Sequence, residues 1–452
     1  MKNRTHKQEI IQEGFSRLSD DEKARIISQY VDSPEIFLND IELHRHSDTE
    51  VQERYGNFSE NTLTNYFLPY GIAPNFLING KIYQVPMVIE ESSVVAAAAS
   101  AAKFWLTRGG FHSRVLNFKK TGQVHFLWKG LPEKLLAFFN DVQPVLQQKL
   151  EPILTNMKKR GGGIVSMDMS YLPDVLENYY QMNVVFDTVD SMGANFINSV
   201  LEETGKVFQE LIASHSSFSD EGKKMDVIMA ILSNYTPECT VECRVETSVK
   251  QLDDGVKGWS GEKFAERFIV AVTLADKNIY RAVTHNKGIL NGVDSIVLAT
   301  GNDFRAVEAN IHAFASRNGK YSSLSKTKVG NGIFSFQLEI PLALGTVGGL
   351  TSLHPMAEHS LELLGRPSAE ELMEITAAVG LANHFSALRS LISTGIQSGH
   401  MKLHLNNIMA QLKTTGKESE EIRNYFKGKI VSYYKVNCYL QQLRKTHHEP
   451  GI

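Results

Sequence analysis

The sequence predicts an α/β (α+β) protein in which a ferredoxin-like β-α-β-β-α-β unit is inserted into a larger mixed domain. Three observations carry that prediction. The chain has 452 residues, which at about 100–200 residues per domain means two or three domains. Between residues 114 and 234 the strand-like and helix-like stretches follow the ferredoxin order, over ~120 residues, a usual domain size. On both sides of that stretch, strand and helix patterns belong to a second, larger unit.

The elements follow in order. Residues 1–57 read as short polar helices, such as Ser19 to Ser28. Ala73–Ile78 and Tyr83–Ile89 read as strands about the turn signal Asn79-Gly80. Ser92 and Ser93 are placed to cap a helix through the alanine block to Arg108, where Gly109-Gly110 ends it. So many alanines suit a helix packed closely on other backbone. Arg114–Phe118 reads as a strand, paired with Gln123–Trp128. A long helix covers Pro132 to Lys159, and Gly161-Gly162-Gly163 breaks it. Strands are expected at Ile164–Leu172 and Asn183–Val189, a helix over about 191–213, and a strand at Asp226–Ser233. The larger unit resumes with a strand within Val241–Leu252 and a helix from Ser260 to Leu274. Ser295–Thr300 reads as a buried strand, with Asp303 at its end entering a helix. On that helix Phe304, Val307, Ile311 and Phe314 form a core stripe. A glycine-rich stretch at 345–349 precedes helices over about 368–397, and the tail from Gly399 is helical and basic. The divisions expected are 1–115, 116–234, 235–394 and 395–452.

Composition excludes several classes. Lys and Arg number 47 against 50 Asp and Glu, a net charge of −3, whereas a large nucleic-acid surface leaves a basic excess. Three cysteines, Cys239, Cys243 and Cys438, make no disulfide framework and suit a reducing compartment. No apolar run approaches the ~18 residues of a membrane span. The polar first thirty residues are not a secretory signal. A soluble, cytoplasmic protein is expected, with no membrane and no nucleic acid among its partners.

The chemistry-bearing candidates are local. Asp190-Ser-Met-Gly-Ala-Asn195 lies at a strand-to-helix junction, where free N–H groups and the helix dipole favour an anion such as pyrophosphate. The alternative is a plain capped helix with Asp190 as the cap. Lys287, flanked by His285, Asn286 and Gly288, reads as a turn lysine. It is either solvated or held rigidly as an oxyanion-stabilising cation. Arg281 adds a fork suited to a carboxylate. Asp303 is a helix N-cap or a functional carboxylate. Glu90-Glu91 precedes the alanine helix, whose N-terminus lowers a carboxyl pKa, so a general acid there needs burial or a second carboxylate. His400 lies in Gly399-His-Met, either inert or functional. Among 15 histidines, only His400 and His404 have metal-ligand spacing, without a third ligand, and no metal is expected.

Taken together these segments are specific. Glu-Glu-Ser-Ser-Val-Val-Ala-Ala-Ala (90–98), Asp-Ser-Met-Gly-Ala-Asn (190–195), Thr-His-Asn-Lys-Gly-Ile-Leu-Asn-Gly (284–292), Ala-Thr-Gly-Asn-Asp (299–303), Val-Gly-Gly (347–349) and Gly-His-Met (399–401) stand in the order seen in hydroxymethylglutaryl-CoA (HMG-CoA) reductases. The resemblance runs from about Glu60 to Leu405 and includes Glu60-Asn61 and Asn75-Phe76. It is to the soluble bacterial type, class II. It implies a large α/β substrate domain, an inserted ferredoxin-like dinucleotide-binding domain and a C-terminal helical flap. It also implies a four-electron reduction of HMG-CoA to mevalonate and CoA, by way of a mevaldyl-CoA hemithioacetal and mevaldehyde, within isoprenoid biosynthesis.

By the same resemblance, Lys287 matches the catalytic lysine and Asp303 the buried aspartate that hydrogen-bonds it. Glu91 matches the glutamate that supplies a proton to the carbonyl oxygen. His400 matches the histidine that protonates the departing thiolate. Ser93, Arg281, Thr284 and Asn291 match the substrate pocket, and Asp190, Met192, Gly193 and Asn195 the nicotinamide-dinucleotide motif. The family builds its active site between two subunits, so a homodimer or higher homo-oligomer is implied. This chain departs from the pattern at Ser92, where proline is usual, and at Asn383, where glutamine is frequent. The tail beyond Leu405 shows little in common. The competing readings are NAD-dependent oxidation of mevalonate to HMG-CoA and a non-catalytic homologue binding CoA esters. NAD-using relatives carry an aspartate just before the triple-glycine turn. Here that stretch ends in Lys158-Lys159-Arg160, which either attracts a 2′-phosphate or merely complements the helix C-terminus. NADPH is therefore expected over NADH.

Overall fold

Short helices open the chain: α1 (Asp20–Ser28), started by a Ser19/Glu22 capping box, α2 (Pro34–Leu43) and α3 (Thr49–Gly56). The computed structural model describes residues 11–393, 405–427, 429 and 431–446. Next, β1 (Tyr70–Ile78) and β2 (Lys81–Val88) form an antiparallel hairpin. Its two turn residues, Asn79 and Gly80, both have positive φ, as the tight hairpin turn requires. Helix α4 (Val94–Leu106) ends as expected, with the Gly110 N–H donated back to the Trp105 carbonyl at 2.9 Å. Ser93 holds its N-cap position, but at φ +79° its hydroxyl caps nothing.

The expected pairing of strands 114–118 and 123–128 is corrected. Strands β3 (His112–Phe118) and β4 (Lys120–Trp128) lie in different sheets. Only Lys119 separates them, too little for a hairpin turn, so the chain runs straight from one sheet into the next. From β4 it continues through α5 (Pro132–Lys158), β5 (Gly163–Tyr171), β6 (Tyr179–Asp187), α6 (Ala194–Ser214) and β7 (Met225–Leu232). The sheet order is β5-β6-β4-β7 with every neighbouring pair antiparallel. That is the ferredoxin-like topology. Its two helices close over a core of its own, including Phe126, Leu135, Phe139, Phe186 and Phe208.

Strand β8 (Cys239–Ser248) then returns to pair with β3. With β9 (Ser325–Gly330) and β10 (Ile333–Pro341) it completes the sheet β3-β8-β10-β9. Helices α7 (Gly261–Lys277), α8 (Ile279–Ala299) and α9 (Phe304–Ala315) lie between β8 and β9. The expected strand at Ser295–Thr300 is instead the last turn of α8 and its cap. A short buried apolar run fits either structure, and periodicity cannot separate them. Phe304 is exposed, so the stripe on α9 consists of Val307, Ile311 and Phe314. After β10 come α10 (Leu350–Leu353), α11 (Pro355–Leu363) and α12 (Ala369–Ile392).

The centre of the larger domain is the contact between α8 and α12. A Cβ on Gly292 would stand 2.7 Å from the Val379 carbonyl oxygen, and one on Gly288 would stand 2.9 Å from His384 Nδ1. These two glycines, one turn apart, therefore bring the helices closer than any side chain would permit. The alanine face of α4 seats on the same rod: Asn383 Nδ2 donates to the Val94 carbonyl at 2.9 Å and Ser386 Oγ to the Ala97 carbonyl at 2.7 Å. Trp105, Phe268, Phe334 and Phe385 fill the space between these helices and the sheet. The tail helices Gly416–Tyr425 and Tyr433–Thr446 share a separate small core with Leu405, Ile408 and Met409. Among the described residues no helix is long and apolar enough to cross a membrane.

Candidate active site

Helix α8 presents Arg281, Thr284, Lys287 and Asn291 at spacings of three and four, so all four stand on one face. Lys287 is thus a mid-helix residue and not a turn residue. The turn-like composition around it reflects the close packing on α12. That face, the loop before α4 and α12 enclose a cavity of about 470 Å³. Glu91, Ser93, Arg281, Thr284, Lys287, Asn291, Asn383 and His384 all line it. Six residues singled out in the sequence are therefore brought together.

Lys287 Nζ donates to Glu91 Oε2 at 2.5 Å. Both groups remain open to solvent, at 58% and 38% exposure of their side chains, so a ligand can reach them. Thr284 Oγ1 donates to the Tyr280 carbonyl at 2.8 Å. The Arg281 backbone N–H donates to Asn278 Oδ1 at 3.1 Å, but its guanidinium has no hydrogen-bond or ion-pair partner among the described residues, and Ser93 Oγ is buried without one. The cavity therefore holds an uncommitted guanidinium, an uncommitted hydroxyl and an ammonium with donors to spare.

Asp303 is the helix N-cap that one of the two sequence readings gave, but its surroundings differ from those expected. It follows a helix, not a strand, and it is exposed. Its Oδ1 caps α9 by accepting the Arg305 and Ala306 N–H groups at 3.0 and 3.2 Å, and its carboxylate pairs with the Arg305 side chain at 3.2 Å. Partial burial would raise its pKa, but the Arg305 side chain and the two cap bonds outweigh that and hold it below the usual value. It forms no ion pair with Lys287 in this chain. His400 lies outside the described residues.

Sequence reasoning missed three groups. Asp294 stands two turns beyond Lys287 on the same face of α8, with Oδ1 buried and no donor reaching it. Burial, reinforced by the Glu308 carboxylate, raises its pKa despite the pull of Lys287. Beneath the cavity His285 and His384 meet edge to face with ring centroids 3.9 Å apart. His285 Nε2 lies 2.7 Å from Ser325 Oγ, whereas both His384 nitrogens lack partners. Burial drives both pKa values down, His285 to about 3, with Arg281 adding to the effect. His285 was noted only as a neighbour of Lys287, and nothing in the sequence pairs it with His384.

The junction at 190–195 is a second candidate region. Gly193, not Asp190, is the N-cap of α6, at φ +82° with no side chain closing the helix end. The first N–H groups of α6 are therefore left for a ligand. A Cβ on Gly193 would stand 2.7 Å from Thr188 Cγ2, so glycine is required for close packing as well as for φ. Asp190 faces the other way: its Oδ1 accepts the Ala369 N–H at 2.8 Å and its carbonyl the Thr346 N–H at 2.8 Å. The triple-glycine turn closes on the same junction, because a Cβ on Gly162 would stand 2.5 Å from the Asp187 carbonyl oxygen. Of the adjoining cations, Lys158 pairs with Glu151, and Lys159 and Arg160 are exposed.

The profile of the hydroxymethylglutaryl-coenzyme A reductase family matches residues 21–405. The chain belongs to the HMG-CoA reductase family. The 3-hydroxy-3-methylglutaryl-coenzyme A reductase of Archaeoglobus fulgidus is 34% identical over 419 residues, 90% of this chain and 89% of its own. A probable HMG-CoA reductase of Borreliella burgdorferi is 36% identical over 385 residues, 85% of this chain and 84% of its own. Among solved structures, the class II HMG-CoA reductase of Streptococcus pneumoniae, described as bound to NADPH in open conformations, is similar with a TM-score of 0.69. It is 34% identical, and the match covers 85% of this chain and 100% of that one. The chain is thus an NAD(P)H-dependent oxidoreductase of the HMG-CoA reductase family with a class II fold.

Proposed function

We propose that Glu91 and Lys287 form the reacting centre at which the HMG-CoA thioester is reduced to mevalonate and CoA. The single observation that carries this is their 2.5 Å contact at the wall of a cavity that also holds the unpaired Arg281. Arg281 takes the substrate's free carboxylate in a forked, charge-assisted contact. Ser93, Thr284 and Asn291 supply the shorter polar contacts around it. One Lys287 N–H is spent on Glu91, which leaves two for the carbonyl oxygen, where negative charge develops in each reduction. Glu91 carries the proton that neutralises that oxygen. His400 protonates the departing CoA thiolate.

The groups at the α6 N-terminus fit a nicotinamide dinucleotide: an uncapped helix end, a glycine that permits close approach, and adjoining cations. Met192, Gly193 and Asn195 would hold it, and Asp190 would fix the turn that presents them. When bound, the cofactor supplies the hydrides of both steps. The solved relative described as bound to NADPH and the basic run Lys158-Lys159-Arg160 favour NADPH over NADH. A homo-oligomer belongs to this reading, because Asp303 is exposed and unpaired with Lys287 within one chain. Asp303 of a second copy would complete the Glu91–Lys287 centre. The three cysteines, all free, suit a cytoplasmic setting.

Steady-state oxidation of NADPH and NADH with HMG-CoA tests the reading. Turnover with a higher kcat/KM for NADPH is expected. A higher value for NADH would favour the oxidative direction, and no turnover with either would leave only binding of CoA esters.

A further inference from the structure

Lys120, the first residue of β4, is buried to 1% exposure at the point where the inserted domain joins the larger one. Its Nζ donates to Thr188 Oγ1 at 2.5 Å and to the Ser191 carbonyl at 2.7 Å. Thr188 Oγ1 also donates to the Ser191 carbonyl at 2.6 Å. The ammonium therefore lies directly behind the turn that leads into α6, and Gly193 packs on Thr188. Both hydrogen bonds are to neutral oxygens, and the Phe118 ring, 5.2 Å from Nζ to its centroid, carries no net charge. Among the described residues no carboxylate stands within ion-pair distance of it.

The titratable groups that face it do not neutralise it. Asp187, at the end of β6, has its Oδ1 committed to the Val189 N–H at 2.9 Å. Cys239, at the start of β8, donates to the Leu342 carbonyl at 3.2 Å, and burial holds its thiol at a pKa of about 11, hence neutral. Asp190 is turned away to Ala369. A buried cation without a buried anion is costly. Burial accordingly pushes the Lys120 pKa down to about 8, although the nearby Asp187 carboxylate pulls it up. The same turn leads directly into the N-terminus of α6, which no side chain caps.

We propose that Lys120 is the counter-charge for the phosphates of the bound dinucleotide, and that cofactor binding is therefore coupled to uptake of a proton from solvent by Lys120. It is a positioning residue that acts through the turn and through its field. This rests on the reading that residues 190–195 hold the dinucleotide.

Calorimetric titration of the full-length protein at about pH 8, in two buffers of different ionisation enthalpy, reads the coupling directly. NADH is the first probe, since it lacks a 2′-phosphate that titrates by itself, and NADPH is the second. Uptake of up to about half a proton per site is expected, because a group near its pKa is half charged before binding. At about pH 6.5 the uptake should vanish, since Lys120 is already protonated. Lys120→Met should abolish the uptake at pH 8 and weaken binding about tenfold or more at pH 7. Lys120→Gln, which keeps a donor for the Ser191 carbonyl, should recover the fold but not the uptake. Wild-type enthalpies that are independent of buffer at pH 8, or an equal uptake in Lys120→Gln, overturn the proposal. Asn195→Asp, which sets a carboxylate on an exposed position of the first turn of α6, separates this from failure of the underlying reading. If it abolishes binding while the wild type takes up no proton, only the role of Lys120 is lost. If it leaves binding unchanged, both fall.

Discussion

Asp190 reaches from the inserted domain to the first turn of α12, where its Oδ1 accepts the Ala369 N–H at 2.8 Å. The same helix carries Asn383 and His384 along the cavity that Glu91 and Lys287 line. One rod therefore runs from the turn proposed to hold the cofactor to the pocket proposed to hold HMG-CoA. Asp190 is an anchor between domains, and its carboxylate adds favourable charge at a helix N-terminus.

Removal of that anchor should be felt in two measurements. Asp190→Ala should cost about 1–2 kcal/mol in urea unfolding, the range for a lost cap or charged hydrogen bond. It should also raise the KM for NADPH more than that for HMG-CoA. Asp190→Asn keeps the accepting oxygen and should recover most of both. Loss confined to stability would show that the anchor plays no part in cofactor binding.

Lys287→Ala removes the cation proposed to stabilise charge on the carbonyl oxygen. Turnover should fall by at least ~10²–10³, as for loss of an oxyanion donor, with an unchanged circular dichroism spectrum. Retention of more than about a tenth of wild-type turnover would rule out the role.

His400→Gln should impair reduction of the thioester far more than reduction of free mevaldehyde. Only the first substrate releases a thiolate that needs a proton. Equal losses on the two substrates would remove His400 from that step.

Much of this was legible in the sequence. The strand and helix order of residues 120–232, the Asn79-Gly80 turn and the glycine stops after α4 and α5 each rest on local chemistry. The motif order alone brought Glu91, Ser93, Arg281, Thr284, Lys287 and Asn291 into one argument, and they line one cavity. What was misread depends on tertiary packing. Gly288 and Gly292 look like turn residues until α12 is seen against them, and Ser295–Thr300 looks like a strand for want of any local cue to the contrary. The placing of β3 and β4 in separate sheets was not legible, since the four residues 119–122 left between the expected strands suffice for a hairpin turn. Lys120 and the His285–His384 contact carry no signal in the sequence, because their partners lie far away along the chain.

The buried histidines make the fold sensitive to acid. The unfolded chain protonates them near the ordinary value of 6.5, whereas burial holds His285 at about 3 and His384 also far down when folded. Below about pH 6.5 the unfolded state therefore binds more protons, and stability falls as pH falls. Each histidine should contribute about 2 kcal/mol of loss between about pH 7.5 and 5, at 1.36 kcal/mol per unit. Urea midpoints at the two pH values measure this, and His384→Asn should flatten the dependence. An identical slope in that variant would assign the acid sensitivity elsewhere.

The last prediction asks which chain supplies Asp303. In one chain Asp303 serves the α9 N-terminus and Arg305, while Lys287 pairs with Glu91. If the complete centre joins Lys287 of one copy to Asp303 of another, two inactive variants should rescue each other. In a heterodimer of Lys287→Ala with Asp303→Ala, one site would carry both lesions and the other neither. Unfolding and refolding an equal mixture gives half heterodimers, each with one intact site of two, so about a quarter of wild-type activity should return. A centre built within one chain would leave a lesion in every site, and the mixture would stay inactive. Refolding each variant alone supplies the baseline. Recovery near a quarter, and only in the mixture, places Asp303 across the subunit boundary, whereas none assigns it to its own chain's Lys287.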